Sequence, residues 1–163
     1  MSALVIEPLG LHHDRTAFAC GHEALDLYLR QQAGQDSRRR LARVFVCIEP
    51  DRPAILGFYT LSAVSIDLSV LPPHLVRRLP RQPVPAVLIG RLAVALGMQG
   101  QGLGRLLLAD AVKRTLSVSA TIGIHAMVVD AKDHRSKQFY ERYGFLALPD
   151  SVERLFLPLG SLV

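Results

Sequence analysis

Cysteine and lysine are scarce in this 163-residue chain, which holds two cysteines, Cys20 and Cys47, and three lysines, Lys113, Lys132 and Lys137. Two thiols are too few for a disulfide framework or a cysteine-based zinc site, and they read as reduced core thiols. The six histidines, His12, His13, His22, His74, His125 and His134, lack the partner spacing of a ligand set, so no metal is expected. No apolar run approaches the roughly 18 uncharged residues of a membrane span, and no membrane partner is expected. The opening Met1-Ser2-Ala3-Leu4-Val5-Ile6-Glu7-Pro8 has neither the basic start nor the cleavage site of a signal peptide, which gives a cytoplasmic expectation.

What is present is apolar and basic. Half the residues are hydrophobic, which excludes a globally disordered chain and allows one compact domain over residues 1–163. Nineteen Lys+Arg oppose fourteen Asp+Glu, so the net charge of +5 is carried almost wholly by arginine. One cluster is Arg38-Arg39-Arg40 with Arg43, and a second is Arg77-Arg78 with Arg81. A single cluster is usually a solvated face. Two clusters on a basic chain favour a polyanionic partner, because the guanidinium fork matches phosphate.

Hydrophobic period divides the chain into alternating elements. Strands are predicted at 3–9, 44–48, 54–68, 87–94, 123–130 and 153–159, with 44–48 and 54–68 as a hairpin. Helices are predicted at 22–33, with Leu25, Tyr28, Leu29 and Ala33 on one face, and at 102–120. The polar stretch 34–40 either ends the first helix or starts a second. A short helix at 74–78 sits in the proline-dense segment 71–85. Asp133 is placed to cap a helix that ends at Tyr143 with Gly144 as its stop. This order predicts an α/β fold, a mixed central sheet with helices on its faces.

Between the strand 87–94 and the leucine-rich helix lies Gln99-Gly100-Gln101-Gly102-Leu103-Gly104. Glycines permit a tight turn and close approach, and the following helix offers free N–H groups to an anion. It is not a Walker loop, because Gly104 is followed by Arg105-Leu106. It is not a dinucleotide fingerprint either, because Gly100, Gly102 and Gly104 alternate. A flexible helix-capping loop would be the bland alternative. The spacing Gln-x-x-Gly-x-Gly resembles the acetyl-CoA pyrophosphate loop of the GNAT family of N-acetyltransferases. About 35 residues on, Phe139-Tyr140 followed by Gly144-Phe145 resembles that family's C-terminal motif.

A narrower resemblance covers most of the chain. Phe18-x-Cys20-Gly21, Leu25-Asp26-x-Tyr28-Leu29, Arg43-x-Phe45-Val46, Gly57-Phe58-Tyr59-x-Leu61, Leu79-Pro80-Arg81, Gly90-Arg91-Leu92-Ala93-Val94 and Val129-Asp130-Ala131-Lys132-Asp133 are similar to the acetyltransferase toxins of bacterial type II toxin–antitoxin systems. The chain departs from that group at Asp130, where others often have His, and at Arg135-Ser136-Lys137, where others have small residues.

The resemblance implies a GNAT fold, a mixed sheet with helices on both faces and a splayed acetyl-CoA-binding strand. It implies acetyl-CoA as cosubstrate, with the pyrophosphate at Gln99, Gly100, Gln101, Gly102, Leu103, Gly104 and Arg105 and the pantetheine along Leu92, Ala93 and Val94. It makes Tyr140 the general acid for the leaving thiolate. It further implies transfer to the free amino group of aminoacyl-tRNA, a block of translation, a ribbon-helix-helix antitoxin and a homodimer. Arg38, Arg39, Arg40, Arg77, Arg78 and Arg81 are then the residues expected to meet tRNA.

The acceptor's chemistry bears on the missing base. A lysine amine near pKa ~10.4 needs one, whereas an α-amino group near ~7.7–8.0, lowered by an adjacent ester, is largely neutral already. Glu141 and Asp130 are poor base candidates. An ordinary GNAT enzyme acting on a small-molecule or protein amine would need an acidic base and an acceptor pocket. A non-catalytic nucleic-acid-binding module would need neither the glycine loop nor Tyr140.

Overall fold

Strand alternation builds the sheet. The structure is a computed structural model that describes residues 3–67, 73–76, 79, 82–148 and 153–162. Seven strands, β1 (Val5–Pro8), β2 (Arg43–Ile48), β3 (Gly57–Ile66), β4 (Val84–Val94), β5 (Ala126–Asp130), β6 (Leu146–Ala147) and β7 (Arg154–Pro158), lie in the order β1-β2-β3-β4-β5-β7-β6. The β4–β5 pair is parallel, whereas β1–β2, β2–β3, β5–β7 and β6–β7 are antiparallel, so the sheet is mixed as expected. The chain divides into two compact units, 1–62 with 90–113 and 63–89 with 114–163.

In the first unit the predicted helix continues past its expected end. Helix α1 (Glu23–Leu27) passes through a π turn (Tyr28–Gln32) into α2 (Ala33–Arg38). The apolar stripe seats as anticipated: Tyr28, Leu29 and Ala33 pack with Phe18, Val44, Val46, Ile48, Phe58 and Ala93, and Leu25 lies at the margin. A side-chain hydrogen bond spans Gly34. The Tyr28 hydroxyl donates to Asp36 Oδ2 at 2.9 Å, one turn into α2.

The helix ends in a Schellman arrangement. Leu41 N–H donates to Asp36 O at 2.9 Å and Arg40 N–H to Ser37 O at 3.2 Å. The left-handed residue that closes it is Arg40, at φ 61°. Glycine normally fills that position, because any side chain there costs about 1 kcal/mol.

In the second unit β5 is buried along Ala126–Val129 and pairs with β7 from Ala126↔Pro158 to Asp130↔Arg154. Ile66, Val84, Ala86, Ala126, Val128, Leu148 and Phe156 form its core. Helix α5 (His134–Arg142) starts as predicted, with the Asp133 carboxylate accepting Ser136 N–H at 2.7 Å. It stops at Tyr143, before Gly144 at φ 96°. Asp133→Ala is expected to lower unfolding free energy by about 1 kcal/mol, measured by denaturant titration.

Four expectations are corrected. β3 starts at Gly57 rather than 54. β4 starts at Val84 rather than 87, because exposed Pro85 sits between buried Val84 and Ala86 and its carbonyl accepts His125 N–H at 2.8 Å. β5 starts at Ala126, not 123, and the two-residue β6 was not anticipated. The short helix, α3, is Pro73–Val76. Arg77, Arg78 and Arg81 lie outside the described residues. Among the described residues no helix is long and apolar enough to cross a membrane.

Candidate active site

The cradle begins where β4 outruns its neighbour. Its register with β5 runs from Ala86↔Ala126 to Ile89↔Val129, and Gly90–Val94 continue past the last pair. Leu92, Ala93 and Val94, the segment expected to line the cosubstrate, lie on this extension. Ala93 is buried in the first unit's core, while Leu92 and Val94 are half-buried. Gly57 of β3 allows this close packing: a Cβ there would lie 3.0 Å from both Ala93 O and Leu107 Cδ1.

After β4 the chain makes a 3-10 turn (Leu96–Met98) and then the glycine loop. Gly100 at φ 79° and Gly102 at φ 87° occupy the left-handed region, and a Cβ on either would point into open space. The glycines therefore serve backbone shape. Helix α4 (Leu103–Ser119) follows, with no acidic side chain in its first turn. Its N-terminal N–H groups and dipole suit an anion. Leu103 is buried as an anchor, Gly104 is half-buried and Arg105 is exposed.

Gln99 has a role its motif did not reveal. Its Nε2 donates to Cys20 O at 2.8 Å and to Val94 O at 2.9 Å, latching the loop to the end of β4 and to the segment before α1. Gln101 Nε2 donates to Gly97 O at 3.2 Å. Both glutamine side chains thus shape the loop, leaving its backbone to face a ligand.

On α5, Tyr140 is 6% exposed. Its ring meets Phe139 edge-on at 5.1 Å and Phe145 at 5.5 Å. Burial holds its phenol above the ordinary value of 10.0, so it stays protonated. No hydrogen-bond partner for its hydroxyl occurs among the described residues. The possible bases are engaged or exposed. Asp130 accepts two hydrogen bonds from Arg154, Nε at 2.7 Å and Nη2 at 2.9 Å, which raises the Arg154 pKa. Glu141 is exposed.

Arg38, Arg39 and Arg40 are exposed around the left-handed end of α2, so the first cluster exists as a surface feature. Arg91, an arginine within the apolar run of β4, was not among the expected site residues. The charge inside that run was the available signal.

The histidines are less scattered than their spacing implied. Ligand atoms of Glu7, His12 and His13 lie within 4.8 Å of one another. Their hydrogen bonds nevertheless oppose a metal. His13 Nδ1 accepts Gly10 N–H at 2.9 Å, which leaves the proton on Nε2 to be donated to Glu7 Oε1 at 2.8 Å. A metal on Nε2 would drive that proton to Nδ1, against the Gly10 N–H. His13, then His12, holds the Glu7 carboxyl below its ordinary value.

Comparison with known proteins agrees with this layout. The family model described as an acetyltransferase (GNAT) domain matches residues 78–158. A probable toxin TacT of Sinorhizobium fredii is 32% identical over 167 residues, covering 97% of this chain and 92% of that protein. A tRNA-acetylating toxin of Mycobacterium tuberculosis is 35% identical over 144 residues, covering 88% and 85%. The structure of AtaT complexed with acetyl-methionyl-tRNAfMet has TM-score 0.93 and 32% identity, over 98% of this chain and 97% of that one. A tyrosine-to-phenylalanine mutant of AtaT, bound to the C-terminus of the antitoxin AtaR and acetyl-CoA, has TM-score 0.84 and 30% identity over 98% and 95%. Similarity of this extent, carried along most of the length of the relatives, means that the chain belongs to the GNAT acetyltransferase family.

Proposed function

We propose that the protein is an acetyl-CoA-dependent N-acetyltransferase toxin that acetylates the free amino group of aminoacyl-tRNA and so blocks translation. Residues 1–163 act as one acetyltransferase domain. The observation that carries the reading is the near-complete likeness to AtaT complexed with acetylated tRNA. The exposed Arg38–Arg40 cluster on this chain supports it.

Each residue then has a task. Backbone N–H groups from Gly100 to Arg105 hold the pyrophosphate at the start of α4. The β4 segment of Leu92, Ala93 and Val94 pairs with the pantetheine, and a backbone N–H there polarises the thioester carbonyl. Acetyl-CoA, when bound, supplies the acetyl group. A neutral amine attacks, an N–C bond forms and the C–S bond breaks. The amine's surplus proton goes to water, Tyr140 O–H gives its proton to the departing sulfur, and solvent returns a proton to Tyr140. Bulk phenol near pKa ~10 is a weaker acid than a thiol near ~8.5, so transfer is favoured only where the sulfur is desolvated too. The apolar rings around Tyr140 suit that requirement.

Engagement of Asp130 and exposure of Glu141 favour an acceptor that is already neutral over a lysine side chain. The partners in this reading are charged tRNA, a second copy of the chain and a cognate ribbon-helix-helix antitoxin, all in the cytoplasm. The test is mass spectrometry of nuclease-digested charged tRNA after incubation with protein and acetyl-CoA. An added acetyl group on aminoacyl-adenosine is expected. Its absence across the whole pool, from protein that binds acetyl-CoA, would move the acceptor to a peptide or small amine.

The pH profile should be one-sided. The rate rises as the α-amino group loses its proton, with a midpoint at or below about 7.7–8.0. Tyr140 is active when protonated, and burial raises its pKa, so its limb falls only above the ordinary phenol value of 10.0. A plateau from about pH 8.5 to 10 in kcat/KM is the expected result.

A further inference from the structure

Arg91 is a cation of the first unit that the proposed chemistry leaves unused. It directly precedes Leu92–Val94 on β4 and is half-buried. Its Cζ lies 3.6 Å from the centroid of the Tyr28 ring. That ring is itself fixed: it is buried, stacked on Phe58 at 6.2 Å and 16°, and tied through its hydroxyl to Asp36 at 2.9 Å. Burial pushes the Tyr28 phenol up to about 12, so the shelf is neutral at working pH and the contact is a cation on a π face.

Among the described residues Arg91 has no acidic partner and makes no hydrogen bond. Partial burial of a charge costs hydration that an ion pair or hydrogen bond would offset. Stacking holds the plane of the guanidinium but consumes none of its five N–H donors. A stacked, unpaired fork is preorganised for one bidentate oxyanion.

The acceptor's chemistry names that anion. In an aminoacyl ester the α-carboxyl is esterified and carries no charge. The negative group nearest the reacting amine is then the phosphodiester of the terminal nucleotide. We infer that Arg91 binds this phosphodiester and so positions the acceptor end beside Leu92–Val94. The same helix supplies both cationic stations, since Tyr28 and Asp36 support Arg91 and Arg38–Arg40 close its end. Arg91 is a positioning and specificity residue in this account, and the inference rests on the proposed tRNA reading.

The test compares wild type with Arg91→Ala and Arg91→Lys on aminoacyl-tRNA and on aminoacyl-adenosine, which lacks the phosphate. One charge-assisted contact predicts a loss of about 10- to 100-fold in kcat/KM on aminoacyl-tRNA for Arg91→Ala. Aminoacyl-adenosine turnover and acetyl-CoA affinity should be unchanged. Where the wild type turns aminoacyl-adenosine over too slowly to compare, binding of uncharged tRNA decides. The slope of log affinity against log salt should be shallower by about 0.7 in Arg91→Ala, as for one single-strand phosphate, and restored in Arg91→Lys. Equal losses on both acceptors, lost acetyl-CoA binding or an unchanged slope would overturn the assignment while leaving the enzyme's reaction intact. A wild type that acetylates no tRNA would instead overturn the functional reading itself.

Discussion

Tyr140→Phe is expected to lower the rate of acetyl transfer by roughly 10²- to 10⁴-fold, the usual contribution of a positioned general acid. Acetyl-CoA affinity should be unaffected. The substitution removes only a hydroxyl that no described residue engages, and it keeps the ring that Phe139 and Phe145 pack against. Melting temperature should therefore stay near the wild-type value, and this separates a chemical role from a core role. On expression without an antitoxin, the wild type should arrest growth and Tyr140→Phe should not. A variant that retained most of its rate would leave Tyr140 as a core aromatic and return proton delivery to solvent.

The second large effect is expected at the end of α2. Removing Arg38, Arg39 and Arg40 together as Arg38→Ala, Arg39→Ala and Arg40→Gly should make the tRNA salt slope shallower by up to about 2.7, roughly 500-fold in affinity over a tenfold change in salt. Acetyl-CoA binding should not change. Arg40→Gly alone carries a sharper expectation. At φ 61° an arginine is strained where glycine is not, so this change should raise stability by about 1 kcal/mol while weakening tRNA binding. Opposite signs in a melt and in a binding curve would identify a residue retained for its partner rather than for its fold. A gain in stability with no loss of binding would make the cluster an ordinary solvated face.

The elements with strong periodicity were legible in the chain. The stripe of Tyr28, Leu29 and Ala33, the hairpin of β2 and β3, helix α4 and the Asp133 cap all follow from local pattern and appear where that pattern puts them. The π turn at Tyr28–Gln32 was not legible. Nor was the hydrogen bond from the Tyr28 hydroxyl to Asp36, a contact that has no signature in spacing. The start of β4 was hidden because two prolines around Val84 imitate a loop, although burial alternates through them. At the candidate site, Gly100, Gly102 and Tyr140 could be found from motifs. The latch made by Gln99 and the shelf under Arg91 could not, because each joins segments far apart in the chain. Glu7, His12 and His13 show the same limit, since their proximity comes from the turn after β1 rather than from a ligand pattern.

The two scarce cysteines acquire a meaning from the proposed reaction, which liberates one free thiol per turnover. Cys20 is 4% exposed and Cys47 is fully buried, and burial, with the charge of Asp110, pushes the Cys47 thiol up to about 11. Disulfide exchange needs an accessible thiolate, which neither side chain offers. The native protein is therefore expected to be silent toward thiol-specific chromogens, so that colour in such an assay reports released coenzyme A.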